Sequence, residues 1–502
     1  MERAREAIFG RRRRVSTEEY DPLTGTEEED PALEGSIPQD TQPEIPFSWT
    51  EYCIFGFLGV AMLWAWNMFL TAAPYFSARF SSNPWIQTNF QSGILTVSTV
   101  TNLGVLLLLS NKQLSASYPF RINLALVMNS IAFALLTAST VLFLDISPEA
   151  YFVFLLAVVG FSSWATGLIQ NGAFAFAASY GRSEYMQALM AGQSVAGVLP
   201  AVAQVVTVLL FPPQEPASSA SSSLSSHTSS SHSSSSSSSS SGRRVEPEPE
   251  PEPGGRRGES SAFLYFLAAV AVSVTALVAL FPLVRRHNAR LRNRLPDQAA
   301  TFLRDSTEEA ERAIPGASPR KVASLGVLFR KLRWLAIGLA VTFAVTMFFP
   351  VFTAKIHSVR ENNADGHAIS PLFRSTAFIP LGFVFWNLGD LAGRIATSLP
   401  ISLHDRPFTL FLLSVARVAL LPLYLLCNVN GRGAVVSSDF FYLFVVQLVF
   451  GLTNGWLGST FMMASGQWVD EGEREATGGF MGLFLVIGLT VGSLLSFTVS
   501  GV

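Results

Sequence analysis

Eleven apolar windows long enough to cross a bilayer follow one another along this 502-residue chain, and they leave few folds open to it. A helix needs about 20 predominantly apolar residues to span the hydrocarbon layer. The windows fall at 52–78, 83–110, 122–144, 150–181, 185–212, 261–284, 334–354, 375–400, 407–431, 440–469 and 476–502. Within lipid, every backbone N–H and C=O must be satisfied inside its own segment, which a helix achieves. The expected fold class is therefore an all-α polytopic membrane protein with about eleven transmembrane helices. Composition agrees: 49% of residues are hydrophobic, only 14% are charged, and mean hydropathy is +0.37. A soluble domain carries roughly a quarter charged residues.

One window breaks the pattern. Residues 378–397, FIPLGFVFWNLGDLAGRIAT, carry Asp390 and Arg394 in an otherwise apolar span. An ionised side chain near the bilayer centre costs roughly 2.5–3.5 kcal/mol on insertion scales. Their i, i+4 spacing puts both on one helical face. Phe383 and Asn387 extend the same stripe. An ion pair locking two helices together would explain the couple. So would a polar patch lining a water-filled cavity for a small polar solute, the sharper expectation.

Further polar residues interrupt other windows. Trp66 and Asn67 lie mid-window in the first span, and Trp66 offers a flat face on which a purine or pyrimidine ring stacks for roughly 1–3 kcal/mol. Gln170 and Asn171 interrupt the fourth span, and a glutamine amide both donates and accepts. In the fifth, the small residues of GQSVAG at Gly192–Gly197 favour helix packing. Phe348–Pro350 is an expected kink in the seventh. Arg417 in the ninth is expected to snorkel or to gate between lobes. Thr453-Asn454-Gly455 in the tenth reads as a flexible polar break.

Outside the spans, residues 1–47 read as a disordered cytosolic tail, with Arg11–Arg14 followed by acidic, Pro-rich sequence. Residues 213–260 form a Ser-rich and Glu/Pro-rich disordered loop between the fifth and sixth windows. The sixth helix is expected at 261–284, followed by a basic linker at 285–333. Arg285–Arg294, Arg330–Trp334 and the tail all place one face in the cytosol by the positive-inside rule. An odd span count then puts Val502 and the 213–260 loop on the lumenal or extracellular side. The loops divide the chain into an N-terminal lobe at 48–212 plus the sixth helix and a C-terminal lobe of five helices at 334–502.

The same residues exclude several chemistries. Net charge is −2, so no global field points to nucleic acid. There is no G-x-x-x-x-G-K-[ST] loop for ATP-driven pumping, and no HExxH or GxSxG motif. Two cysteines and six histidines form no metal-ligand spacing. The expectation is a non-enzyme without cofactor or metal, embedded in a lipid bilayer.

Taken together and in order, several stretches resemble the equilibrative nucleoside transporters. They are WAWNMFLTAAPYF in the first span, PFRINLAL in the third, GLIQNGAFAFAASYG in the fourth and YMQALMAGQSVAG in the fifth. FVFWNLGDLAGR in the eighth, ARVALLPLYLLCN in the ninth and FGLTNGWLGS in the tenth complete the set. The resemblance implies a major-facilitator-like arrangement of eleven helices in a six-plus-five split. It implies facilitative transport of nucleosides, and of nucleobases in some relatives, by alternating access. It further implies a substrate site built from Leu63, Trp66, Leu70, Gln170, Phe383, Asn387, Asp390, Arg394 and Leu489. Two departures stand out: Asp390 is followed by Leu391 where the family commonly has tryptophan, and Thr166 replaces a glycine tied to inhibitor sensitivity. The Ser-rich loop is unlike animal members and points to a fungal or protist relative, in a vacuolar, lysosomal or plasma membrane. Asp390 is also a candidate proton carrier. Competing readings are a carrier of another polar solute, such as a sugar or an amine, and a non-transporting membrane receptor or scaffold.

Overall fold

The computed structural model describes residues 46–111, 117–143, 146–210, 253–308, 324–361, 370–399, 403–496 and 498, with backbone only at 111, 253–261 and 290–308. The expected tail at 1–45 and the Ser-rich stretch at 211–252 lie outside the described residues. The long helices are α1 (Trp49–Thr71), α2 (Pro84–Asn111), α3 (Tyr118–Leu142), α4 (Pro148–Ser179), α5 (Ser183–Leu210) and α6 (Pro253–Glu308). They continue with α7 (Leu325–Thr346), α8 (Ser375–Ala396), α9 (Pro407–Ala416), α10 (Val449–Ser465) and α11 (Arg474–Ser496). Ten of these spans are long and apolar enough to cross a membrane. The other is α8, 22 residues long and burdened by its two charges. The protein is an integral multi-pass membrane protein.

Proline and backbone geometry set the interruptions. α7 breaks at Met347 and Phe348 and resumes as Phe349–Thr353 with Pro350 inside the first turn, the expected kink. α9 tightens into a 3-10 turn at Arg417–Leu420 before Pro422–Leu425. A π-helical segment, Phe441–Leu448, leads into α10. Through Thr453-Asn454-Gly455, however, α10 is continuous helix. The polar break expected there does not form, because the Asn454 side chain is satisfied across the helix interface rather than by its own backbone.

The helices sort into two lobes. α1 packs on α5 and α6, α3 on α4 and α6, and α2 on α4. In the second lobe α7 packs on α9, α10 and α11, and α8 on α10. Small residues bring some pairs to backbone contact, which polar-poor membrane interfaces need because lipid supplies no hydrophobic driving force between helices. A Cβ added at Gly192 of α5 would sit 1.8 Å from the Gly56 carbonyl oxygen of α1, and one at Gly455 of α10 would sit 1.9 Å from the Asp390 oxygen of α8. Aromatic cores fill each lobe: Phe69, Phe76, Phe133 and Phe266 in the first, Phe352, Trp386, Tyr424 and Phe450 in the second. The lobes meet along α5–α8, α4–α11, α2–α11 and α5–α10. At the end where α4 stops and α11 starts, the seam is tight enough to seat Phe174 against Gly478 and Gly482.

Candidate functional site

The stripe on α8 faces α5 across the lobe boundary. Asp390 and Arg394 are one turn apart, as their spacing requires, and Arg394 Nε donates to Asp390 Oδ2 at 2.9 Å. Both are buried, at 2% and 5% exposure. Neither points into lipid. Ser194 Oγ of α5 donates to the same Oδ2, and Asn454 Nδ2 of α10 donates to Oδ1 at 2.7 Å. Arg394 Nη1 donates to the Met190 carbonyl at 2.7 Å and approaches Gln193 Oε1 at 3.5 Å. Gln187 Nε2 donates to the Arg394 carbonyl at 3.2 Å. Arg394 Nη2 has no partner among the described residues, yet it is not one of the sealed orphan atoms, so it keeps accessible surface. The couple is thus held by both lobes, with one donor left open.

A second buried cation supports this arrangement from behind. Arg417 is 3% exposed and lies within the C-terminal lobe, stacked 4.7 Å from the Phe450 ring. Its expected snorkelling to the membrane surface does not occur. Instead its guanidinium donates to the Thr342 and Phe450 carbonyls at 2.7 and 3.2 Å, and to Thr453 Oγ1 at 3.1 Å. Its Nη atoms lie 3.4 Å from Thr346 Oγ1, which donates to Asn454 Oδ1 at 2.6 Å. The two charged ends fix the direction of this chain. Asp390 can only accept, so Asn454 must present its NH2 to the carboxylate and its oxygen to Thr346. A flipped Asn454 amide would set its oxygen against the Asp390 carboxylate, whereas the Thr346 hydroxyl could accept from the NH2 and donate to the Thr342 carbonyl at 2.8 Å instead.

The other expected residues sit along and around this seam. Asn387 is half-buried one turn from Asp390; its Nδ2 donates to the Phe383 carbonyl at 2.8 Å, and its oxygen abuts Gly197 of α5. Phe383, a turn further, packs edge-on against Phe349 at 5.4 Å. On α1, Leu63, Trp66 and Leu70 share one face, half-buried at the first two and 53% exposed at Leu70. The Trp66 indole nitrogen has no partner among the described residues and is not sealed. Beside it Asn67 Nδ2 donates to the Ala196 carbonyl of α5 at 2.7 Å. Gln170 on α4 is 7% exposed; its Oε1 accepts from Asn102 Nδ2 at 3.4 Å, leaving its own NH2 without a partner among the described residues and open. Leu489 is half-buried on α11. So the structure brings Phe383, Asn387, Asp390 and Arg394 together on the α5–α8 seam. Trp66, Gln170 and Leu489 come from three other helices, and no hydrogen bond among the described residues joins them to the couple.

Ser194, Asn454, Thr346 and Arg417 were not singled out for the site by sequence. Ser194 follows Met190 by four residues and precedes Gly197 by three, the same helical stripe as its partners on α8. That spacing was the available signal.

The sequence is similar to that of known transporters. Residues 155–222 and 254–500 match the nucleoside transporter family model. Nucleoside transporter FUN26 of Saccharomyces cerevisiae is 31% identical over 462 residues, covering 89% of this chain and 83% of its own length. Human equilibrative nucleoside transporter 2 is 26% identical over 510 residues, covering 92% and 98%. Among solved structures, the E. coli major facilitator superfamily transporter FucP superposes with a TM-score of 0.50 at 12% identity, over 89% of this chain and 91% of that one. That likeness shows the fold, a major-facilitator arrangement; among the described residues the second lobe holds five long helices. Fold, span count and sequence together place this chain in the nucleoside transporter family.

Proposed function

We propose that the protein is a facilitative carrier of nucleosides, working by alternating access between its two lobes. The observation that carries this reading is the Asp390–Arg394 couple held across the α5–α8 seam with one guanidinium nitrogen open. A guanidinium offers several donors in a rigid fork, and Arg394 already spends two nitrogens on orientation. The third is left for ribose hydroxyls. Trp66 supplies a ring face and Gln170 an open amide for the edges of a base. Leu63, Leu70, Phe383 and Leu489 form the apolar remainder, and Asn387 lines the path beside Gly197.

Alternating access follows from which bonds cross the seam. Ser194 to Asp390, Arg394 to Met190 and Gln187 to Arg394 all join α5 to α8. Rocking one lobe against the other exchanges these bonds for bonds to substrate or water. Nothing in the sequence supplies ATP energy, so net flux runs down the substrate gradient. The carboxylate accepts three donors, from Ser194, Arg394 and Asn454. The N-terminus, the basic stretch of α6 at Arg285–Arg294 and the starts of α7 and α9 face the cytosol in this reading, and α11 ends on the opposite side. The compartment is a vacuolar, lysosomal or plasma membrane.

The test is purified protein in liposomes. Labelled uridine and adenosine are expected to equilibrate across the bilayer without concentrating, at rates that are flat between pH 5 and 8. Accumulation above the outside concentration under a proton gradient would replace facilitation with coupling. Absence of nucleoside flux, with reconstitution confirmed by orientation assay, would sink the reading.

A further inference from the structure

Arginine side chains that converge on one cavity create a local positive potential that favours a bound anion. Such a convergence lies at the start of α7 and α9. A cavity of about 100 Å³ is lined there by Arg330, Arg333, Arg406, Trp334, Phe408 and Trp468, among others. Asp405 is the one acid among the described residues that line it. Lys331 also lines it, but its ammonium is already paired with Glu473 and, at 3.4 Å, with Asp470. Arg330 and Arg406 are exposed and have no carboxylate partner among the described residues. Nearby His404 adds no charge at pH 7: burial pushes its imidazole below the ordinary histidine range, against the opposing pull of Asp405.

The rest of the cavity is built for a membrane surface. Its floor is apolar, with Leu332 and Leu335 each 1% exposed. Trp334 packs edge-on against Phe408 at 4.9 Å and tilted against Phe411 at 5.2 Å, and the Arg333 guanidinium lies 5.4 Å from the Trp334 ring. Trp468 is fixed by donating its indole N–H to the His404 carbonyl at 3.0 Å. Aromatic rings of this kind mark headgroup depth. Just beyond, Leu412 and Leu413 of α9 are 50% and 39% exposed, as a hydrocarbon-facing surface would be. Basic pockets between transmembrane helices on the cytosolic side hold anionic headgroups, and arginine forks match phosphate oxygens bidentately.

We propose that this α7–α9 pocket binds a phosphate-bearing anion at the membrane–water boundary, supplied by an anionic lipid headgroup. The pocket is separate from the α5–α8 seam and does not depend on what the carrier transports. An occupant would tie α7 to α9 beside the Lys331–Glu473 contact that joins α7 to the start of α11. It would therefore stabilise the folded chain.

Full-length protein in phosphatidylcholine nanodiscs is compared with and without a minor fraction of phosphatidic acid, and separately with millimolar inorganic phosphate. Phosphatidic acid is expected to raise the unfolding temperature by about 2 °C or more. The rise should vanish in Arg330→Gln/Arg333→Gln/Arg406→Gln and persist in Arg285→Gln/Arg286→Gln, which removes exposed charge within α6. A rise with inorganic phosphate as well would keep the site and make its ligand a free anion. Arg406→Gln alone, at an exposed helix start, covers the case in which the triple variant folds poorly; it should lose part of the rise. No rise in the native chain, or an undiminished rise in both Arg406→Gln and the triple variant, would overturn the proposal.

Discussion

Asp390→Ala is expected to abolish nucleoside uptake, and Asp390→Asn to reduce it at least about 100-fold while the protein still reaches its membrane. The alanine variant leaves Arg394 buried without its anion. Removing one partner of a buried ion pair costs roughly 3–5 kcal/mol, so some of its loss will be lost protein. The asparagine variant is the cleaner test, because it keeps the shape and one oxygen to accept from Ser194 or Asn454. What it loses is the charge that aims Arg394. Asn454→Ala should fall between native and Asp390→Asn, since it removes one of the three donors on Asp390 and the Thr346 contact across α7 and α10, while Thr346 keeps the Thr342 carbonyl at 2.8 Å as an acceptor. Uptake of labelled uridine, normalised to the amount of protein in the membrane, reads all three. Native rates in Asp390→Asn would remove the couple from the transport path.

The second large effect concerns the fold beneath the site. Gly455→Ala is expected to lower the unfolding temperature sharply and to remove uptake with it. The new Cβ would meet the Asp390 carbonyl oxygen at 1.9 Å, and two more backbone atoms of Asp390 within 3.0 Å. Backbone cannot step aside as a flexible side chain can, so α8 and α10 must separate. Overpacking of a well-filled interface costs about 1–3 kcal/mol, sometimes more. Here the separation also pulls Asn454 away from Asp390. Gly466→Ala provides the control, because nothing lies within 4 Å of a Cβ there and its backbone is ordinary right-handed helix. Thermal unfolding of the purified variants in detergent decides the point; equal midpoints for the two would show that the α8–α10 contact is not close in the working protein.

The helical layout was legible because bilayers impose length and apolarity on each span, and eleven windows announce themselves. The α8 stripe was legible for a related reason. A charged pair at i, i+4 in an apolar helix is costly, and only a partner surface explains it. What composition could not show is where a polar side chain finds its partner on another helix. Ser194 sits in GQSVAG, a run of small residues that also suits tight packing, and it does both. Asn454 looked like a break because asparagine competes with helix when its side chain turns back on its own backbone. Across α10 it reaches Asp390 and Thr346 instead, and the helix runs on. Arg417 looked destined for the membrane surface. Its acceptors are the carbonyls of Thr342 and Phe450, and carbonyls leave no trace in a sequence.

A direct test of the site compares uridine with its 2′,3′-dideoxy analogue in liposomes carrying native protein or Arg394→Gln. A hydrogen bond from a charged donor contributes about 1.5–3 kcal/mol, which is roughly 10- to 150-fold in affinity. Native protein should favour uridine by about that factor, and Arg394→Gln should carry both compounds at similar low rates. If Arg394→Gln keeps the native preference for the ribose hydroxyls, the guanidinium on the α5–α8 seam does not hold the sugar.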